Sequence, residues 1–169
     1  PLTTPRLLLR DFEEGDLPDV HEMRSDAEVA RFMDFAPEAL DQSRAWLDDV
    51  IFHNRKVPRA AYNLAIIHRV DGRVIGWIGV GDSERYPTKG EVGFGYLLNR
   101  AYWGQGYATE AARAIVAFGF EALDGRRISA WCYADNHASA RVLEKAGLGF
   151  ERRFTAIEPK SEQPAECLE

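Results

Sequence analysis

The hydrophobic positions of this chain change period several times, and each change marks the edge of an element. Arg6–Phe12 reads as a first strand, entered through Pro5 and bounded by the acidic Asp11 and Glu13. Short helices are expected at about Asp16–Arg24 and Ala27–Phe32. Pro37-Glu38 opens a longer helix, in which Leu40, Trp46, Leu47, Val50 and Ile51 recur at helical spacing. Tyr62–Val70 and Arg73–Val80 flank Asp71-Gly72, a hairpin signal, because an Asp-Gly turn matches the twist of paired strands. Glu91–Leu98 is a further strand. The glycine-punctuated stretch Gly104–Thr109 then runs into a helix reaching about Leu123, with Ala108, Ala111, Ala112, Ile115, Gly119 and Leu123 as its apolar stripe. Asp124-Gly125 ends it. Arg127–Tyr133 is expected as one strand, Asn136–Ala146 as the last helix with Gly147 as its stop, and Phe150–Ile157 as a final strand.

This order predicts an α+β fold in three layers (α/β/α), a mixed sheet flanked by helices. With 169 residues, the expectation is a single domain over 1–169. Hydrophobic residues make up 46% and charged residues 28%, ordinary values that exclude a disordered, collagenous or heptad-repeat chain. No apolar run approaches the ~18 residues of a membrane span. The chain begins Pro1-Leu2-Thr3-Thr4, with no basic-then-apolar leader, so a soluble, cytoplasmic protein with no membrane partner is expected. A net charge of -6 argues against a nucleic-acid partner, which needs a clustered basic face. Cys132 and Cys167 lack metal or redox spacing, and His21, His53, His68 and His137 never pair as ligands, so no metal is expected.

The segment that carries chemistry is Gly95-Tyr96-Leu97-Leu98-Asn99-Arg100-Ala101-Tyr102-Trp103-Gly104-Gln105-Gly106-Tyr107-Ala108-Thr109-Glu110-Ala111. A strand ends, two glycines let the backbone turn, and a helix starts at once. Such a turn aims several free N–H groups and the positive end of a helix at one point, which suits a phosphate or pyrophosphate. It is not a Walker A loop, since no Gly-Lys-Ser/Thr follows. Nor is it a dinucleotide fingerprint, since Thr109 stands at the third glycine position and an antiparallel hairpin precedes. Taken alone, Gly-x-Gly before a helix is explained equally well by tight strand–helix packing.

The surroundings add to that segment. Thr4-Pro5-Arg6-Leu7-Leu8-Leu9-Arg10, Gly95-Tyr96-Leu97-Leu98, Trp103 to Ala111 and Asn136-His137-Ala138-Ser139-Ala140-Arg141-Val142-Leu143-Glu144-Lys145-Ala146-Gly147 occur in this order. Together they resemble the GNAT N-acetyltransferase superfamily, and within it the RimJ/RimL-like branch, over about residues 4–154. The resemblance implies a mostly antiparallel GNAT-like sheet and acetyl-CoA as cosubstrate. It implies that Gly104, Gln105, Gly106, Tyr107, Ala108 and Thr109 cradle the CoA pyrophosphate, with Trp103 beside them. Leu97 and Leu98 would bond pantetheine and the thioester carbonyl through their backbone, at a splay between two strands. Asn136 would bond pantetheine, and Arg141 could serve the 3′-phosphate.

Two departures bear on catalysis. The superfamily's tyrosine general acid has Leu143 at its place, and the branch instead tends to use the serine of Asn-x-x-Ser, here Ser139. The common strand glutamate aligns with Gly93. Glu91, two residues away on the same strand face, is the expected base that neutralises the amine, with Asp82 and Glu84 as lesser options. A solvated Glu at a strand start, and an ordinary Ser in a first helical turn, are the competing readings. Phe32, Met33, Phe35 and His53 fall where the family walls its acceptor. Glu158–Glu169, with Pro159 and Pro164, is short for the family's last strand and could be flexible or truncated. The implied activity is acetyl transfer to a primary amine, either a protein N-terminus or a small molecule, by a monomer or homodimer. The alternative is a catalytically impaired CoA-binding sensor or interaction module.

Overall fold

A computed structural model of the chain describes residues 1–59, 61–82 and 90–169. Glu84 therefore lies outside the described residues. The strands are β1 (Leu2–Thr3), β2 (Leu7–Asp11), β3 (Ala61–His68), β4 (Val74–Asp82), β5 (Glu91–Leu98), β6 (Arg127–Ser129), β7 (Cys132–Tyr133), β8 (Arg153–Ile157) and β9 (Pro164–Leu168). The helices are α1 (Leu17–Arg24), α2 (Ala27–Ala30), α3 (Leu40–Asn54), α4 (Tyr107–Glu121) and α5 (His137–Ala146). Strands β1 to β6 form one sheet in sequence order, antiparallel throughout except for the parallel pair β5 and β6. A second, antiparallel sheet has the order β7-β9-β8.

Period two along the strands feeds a core on each face of the first sheet. On one face Leu7, Leu9, Leu64, Ile66 and Ile78 pack with Ala111, Ala112 and Ile115 of α4. On the other, Ala65, Ile67 and Leu97 pack with Val20 and Met23 of α1 and Leu47 of α3. The result is the three-layer α+β arrangement expected from the sequence. Among the described residues no helix is long and apolar enough to cross a membrane.

Three boundaries differ from expectation. Arg127–Tyr133 is not one strand: β6 pairs with β5 over three residues only, as far as Gly93 opposite Ser129, and β7 then pairs with β9 instead. The segment after Glu158 does form a strand, β9, which lies between β7 and β8. Helix α3 starts at Leu40 rather than at Pro37-Glu38, because Glu38 is held elsewhere. Its backbone N–H donates to Arg24 O, and its carboxylate takes Arg24 Nε at 2.7 Å. The Ala39 N–H donates to Gln42 Oε1 at 2.8 Å, which closes the helix start.

Candidate functional site

Beyond Gly93 and Ser129, β5 and the chain entering β7 part company, and the gap between them leads into a cleft of ≈ 380 Å³. One wall is the end of β5 and the loop into α4; the other is one side of α5 from Ala138 to Lys145, with α2 and Phe32-Met33 closing a side. The Asn99 N–H donates to Ile75 O of β4 at 2.8 Å. Backbone groups of successive strand residues point to opposite edges. Leu97 therefore directs its backbone to β4, whereas Tyr96 and Leu98 direct theirs toward the gap. Leu97 and Leu98 both line the cleft, as expected. The gap-facing backbone pair, however, is Tyr96 and Leu98, a point that strand periodicity without the pairing partner does not reveal.

The loop after β5 is tightly tied to itself. The Trp103 indole donates to Leu98 O at 2.7 Å, and the Gln105 amide turns back to Ala101 O at 3.1 Å. Gly104 (φ 72°) and Gly106 (φ 83°) both adopt left-handed backbone, which glycine enters without strain. A Cβ at Gly104 would meet nothing within 4 Å, so the loop's outer side is open to a ligand. The first intrahelical bond of α4 runs from Glu110 N–H to Gly106 O, so the N–H groups of Tyr107, Ala108 and Thr109 have no acceptor within the helix.

Behind the loop, side chains hold α4 in register. His68 Nδ1 lies 2.7 Å from Asp71 Oδ2, and its Nε2 lies 3.0 Å from the Tyr107 hydroxyl. The His68 hydrogen bond, then that from Tyr102, holds the Asp71 carboxyl below its ordinary value. An ionised Asp71 can only accept, so His68 Nδ1 is the donor of that bond. Arg6 stacks over Tyr107 with its guanidinium carbon 4.3 Å from the ring centre, and its Nη1 donates to Gln105 O at 2.9 Å.

Helix α5 supplies the opposite wall. Asn136 caps it, its Oδ1 accepting from the Ser139 N–H at 3.1 Å. Ser139 Oγ lies 3.0 Å from the Tyr96 hydroxyl, so the serine bridges α5 to β5 across the gap. Burial pushes the Tyr96 phenol up to about 12 despite that hydrogen bond. Arg141 and Lys145 place two cations along the same cleft, and Glu28 is its one carboxylate among the described residues.

The cleft thus unites Trp103, Gly104, Gly106, Tyr107, Ala108 and Thr109 with Leu97, Leu98, Asn136, Ser139 and Arg141. Open N–H groups at a helix start, beside an extended gap flanked by strand backbone, fit a pyrophosphate carrying a long thiol arm. Residues 6–149 match the acetyltransferase (GNAT) domain family. The chain belongs to the GNAT acetyltransferases. Like other members, it is an acyltransferase that uses acetyl-CoA. An uncharacterized N-acetyltransferase of Bacillus subtilis, YnaD, is 33% identical over 162 residues, covering 96% of this chain and 90% of the relative. A GNAT acetyltransferase structure from Bacillus anthracis superposes with a TM-score of 0.84 at 27% identity, covering 98% of this chain and 93% of that one. Spermidine N-acetyltransferase from Vibrio cholerae, solved with CoA and spermine, gives a TM-score of 0.76 at 17% identity, covering 98% and 95%.

Two expected site residues are not brought to the GNAT cleft. Gln105 does not line it; its side chain and carbonyl are engaged by Ala101 and Arg6. Glu91 sits at the opposite end of β5, six residues and about 20 Å of extended strand from Leu97. There its Oε2 lies 3.1 Å from Arg127 Nε, and Arg127 also pairs with Glu151 at 2.5 Å. Period two correctly put Glu91 on the same strand face as Gly93 and Gly95, but distance along the strand removes it from the reacting region. Asp82, which pairs with Val92 across β4 and β5, stands at that same far end. Among the cleft residues that sequence reasoning left unassigned are Tyr96, Lys145 and Glu28. Tyr96 stood inside the motif, and its period-two offset from Leu98 was the available signal.

Proposed function

We propose that this chain transfers an acetyl group from acetyl-CoA to the nitrogen of a primary amine, as a RimJ/RimL-like GNAT enzyme with a small-molecule or peptide N-terminal acceptor. The observation that carries this reading is the meeting, in one cleft, of the open N–H groups of the Gly104–Thr109 loop with Ser139 across the gap from β5. In the reaction the acceptor ammonium first loses one proton to solvent. The neutral amine nitrogen then bonds to the thioester carbon, the C–S bond breaks with its electrons going to sulfur, and the nitrogen's second proton ends on that sulfur as the free thiol.

Gly104, Gly106, Tyr107, Ala108 and Thr109 hold the pyrophosphate by backbone N–H groups, with Trp103 fixing the loop. Arg141 and Lys145 attract the 3′-phosphate. Tyr96 and Leu98 backbone groups hold the arm, and a donor among them meets the charge that builds on the carbonyl oxygen; one such donor is worth about 3 kcal/mol. Asn136 starts α5 so that Ser139 faces the sulfur, where its hydroxyl donates to the leaving thiolate. An alkylammonium has a pKa near 10.4 in water, so the acceptor arrives as a cation. Glu28, at the cleft beside Phe32 and Met33, attracts it. Spermine on the spermidine acetyltransferase supports a cationic amine as the acceptor class.

The test is thiol release from acetyl-CoA against peptide α-amines, polyamines and aminoglycosides. Amine-dependent release supports transfer. CoA binding without release for any amine would instead make the chain a CoA-binding module.

A further inference from the structure

Ser139 is the donor assigned to the leaving sulfur, yet a serine hydroxyl rotates freely, and something must aim its single proton. We propose that Tyr96 is the positioning residue: its hydroxyl holds Ser139 Oγ across the gap and occupies one of its acceptor positions, which leaves the serine proton for the leaving sulfur. This rests on the acetyl-transfer reading above and adds the residue that orients its donor.

The two groups come from two elements that meet at the split. Tyr96 lies on β5, which flanks the gap, and Ser139 lies in the first turn of α5. Tyr96 Oη is 3.0 Å from Ser139 Oγ. A serine oxygen has two acceptor lone pairs and one proton. Tyr96 holds its proton near neutral pH, because burial disfavours the phenolate. Its hydroxyl can therefore donate to the serine oxygen while Ser139 donates to the thiolate.

With Tyr96 on one lone pair, the serine O–H can turn to the cleft, which Tyr96 and Ser139 both line. Accepting that hydrogen bond also polarises the O–H and strengthens it as a donor. No proton leaves Tyr96 in this arrangement. The C–S electron pair goes to sulfur, the thiolate accepts a hydrogen bond from Ser139, and the phenol only holds the serine in place.

Tyr96→Phe keeps the ring and deletes the one oxygen in question. Thiol release should be measured for wild type, Tyr96→Phe, Ser139→Ala and the double variant, with one amine and varied acetyl-CoA. The expectation is that Tyr96→Phe lowers kcat about 5–10-fold while KM for acetyl-CoA stays within about twofold, and that the same change costs less than about twofold in the Ser139→Ala background. An equal loss in both backgrounds would make Tyr96 a packing residue and overturn the proposal, as would wild-type kcat in Tyr96→Phe. Should Tyr96→Phe not fold, Tyr96→Met takes its place, and its loss in kcat should again shrink in the Ser139→Ala background. Wild-type protein that releases no thiol with any amine would remove the acetyl-transfer reading itself; a wild type that turns over beside an unaffected Tyr96→Phe removes only this assignment.

Discussion

Glu110 accepts two hydrogen bonds from Arg6, one from the guanidinium Nε at 2.7 Å and one from the backbone N–H at 2.9 Å. The same carboxylate takes the Thr4 hydroxyl at 2.6 Å. The first turn of α4 is thereby tied to the chain entering β2, and Arg6 in turn holds Gln105 O in the loop. The N-terminal Thr-x-Arg and the Glu that follows the glycine loop are one physical unit, a strap behind the anion site.

That strap should be visible in the pH dependence of stability. Burial acts to raise the Glu110 carboxyl, but the bonds from Thr4 and Arg6 outweigh it and hold the group below its ordinary 4.5. A carboxyl lowered by folding stabilises the fold above its unfolded value, and the benefit is lost as pH falls through the folded value. Glu110→Gln should therefore be less stable than wild type by about 1–2 kcal/mol at neutral pH. The gap should hold down to about pH 5 and narrow below the ordinary carboxyl value. Urea titrations between pH 7 and pH 3 measure this, and a gap that widens on acidification contradicts it.

Glu91→Gln should leave catalysis alone. Its carboxylate faces Arg127 at the far end of β5, so kcat should stay within about twofold of wild type across the pH range, with the acidic limb unchanged. The cost should appear in stability, because Arg127 loses a partly buried partner. A pH–rate profile that loses its acidic limb in this variant would restore Glu91 as a base.

Ser139→Ala should lower kcat about a hundredfold, the range of a general-acid contribution, with KM for acetyl-CoA little changed. Asn136 Oδ1 bonds the backbone N–H at position 139, so the cap of α5 survives the substitution. Steady-state kinetics beside a melting curve separates the two effects. An unchanged kcat means that the thiolate departs without this hydroxyl.

Glu28→Gln should raise KM for a cationic amine a few-fold and leave KM for acetyl-CoA alone, since the side chain is exposed and acts through its charge. The effect should shrink with added salt, because an exposed charge is screened within about a Debye length. An effect that salt does not touch would point to a direct hydrogen bond instead.

Much of this molecule was legible in the sequence because the signals were local. Asp71-Gly72 turns the β3–β4 hairpin with Gly72 at φ 67°, and Gly147 stops α5 at φ 102°. The glycine loop lines its cleft where the motif order implied. What stayed hidden depends on partners distant in the chain. Arg127–Tyr133 is one apolar run to the eye, yet it divides because β6 finds β5 while β7 finds β9, a strand some thirty residues later. Period two assigns Glu91 a face but not a distance from the reacting carbon. Tyr96 gained its role only when α5 brought Ser139 to it.

The most direct measurement of the central claim, that the glycine loop at the head of α4 holds acetyl-CoA, compares the acetyl-CoA melting shift of wild type with that of Gly106→Val. Wild type at ~100 times its Kd should gain about 2.7 kcal/mol, roughly 5–10 °C for a domain of this size. Gly106 has φ 83°, so a β-branched residue there is strained, and its ligand-free melting temperature should fall by only a few degrees. With the loop misaimed, the acetyl-CoA shift should vanish in this still-folded variant. An equal shift in both proteins would contradict the assignment and leave the loop as a packing turn.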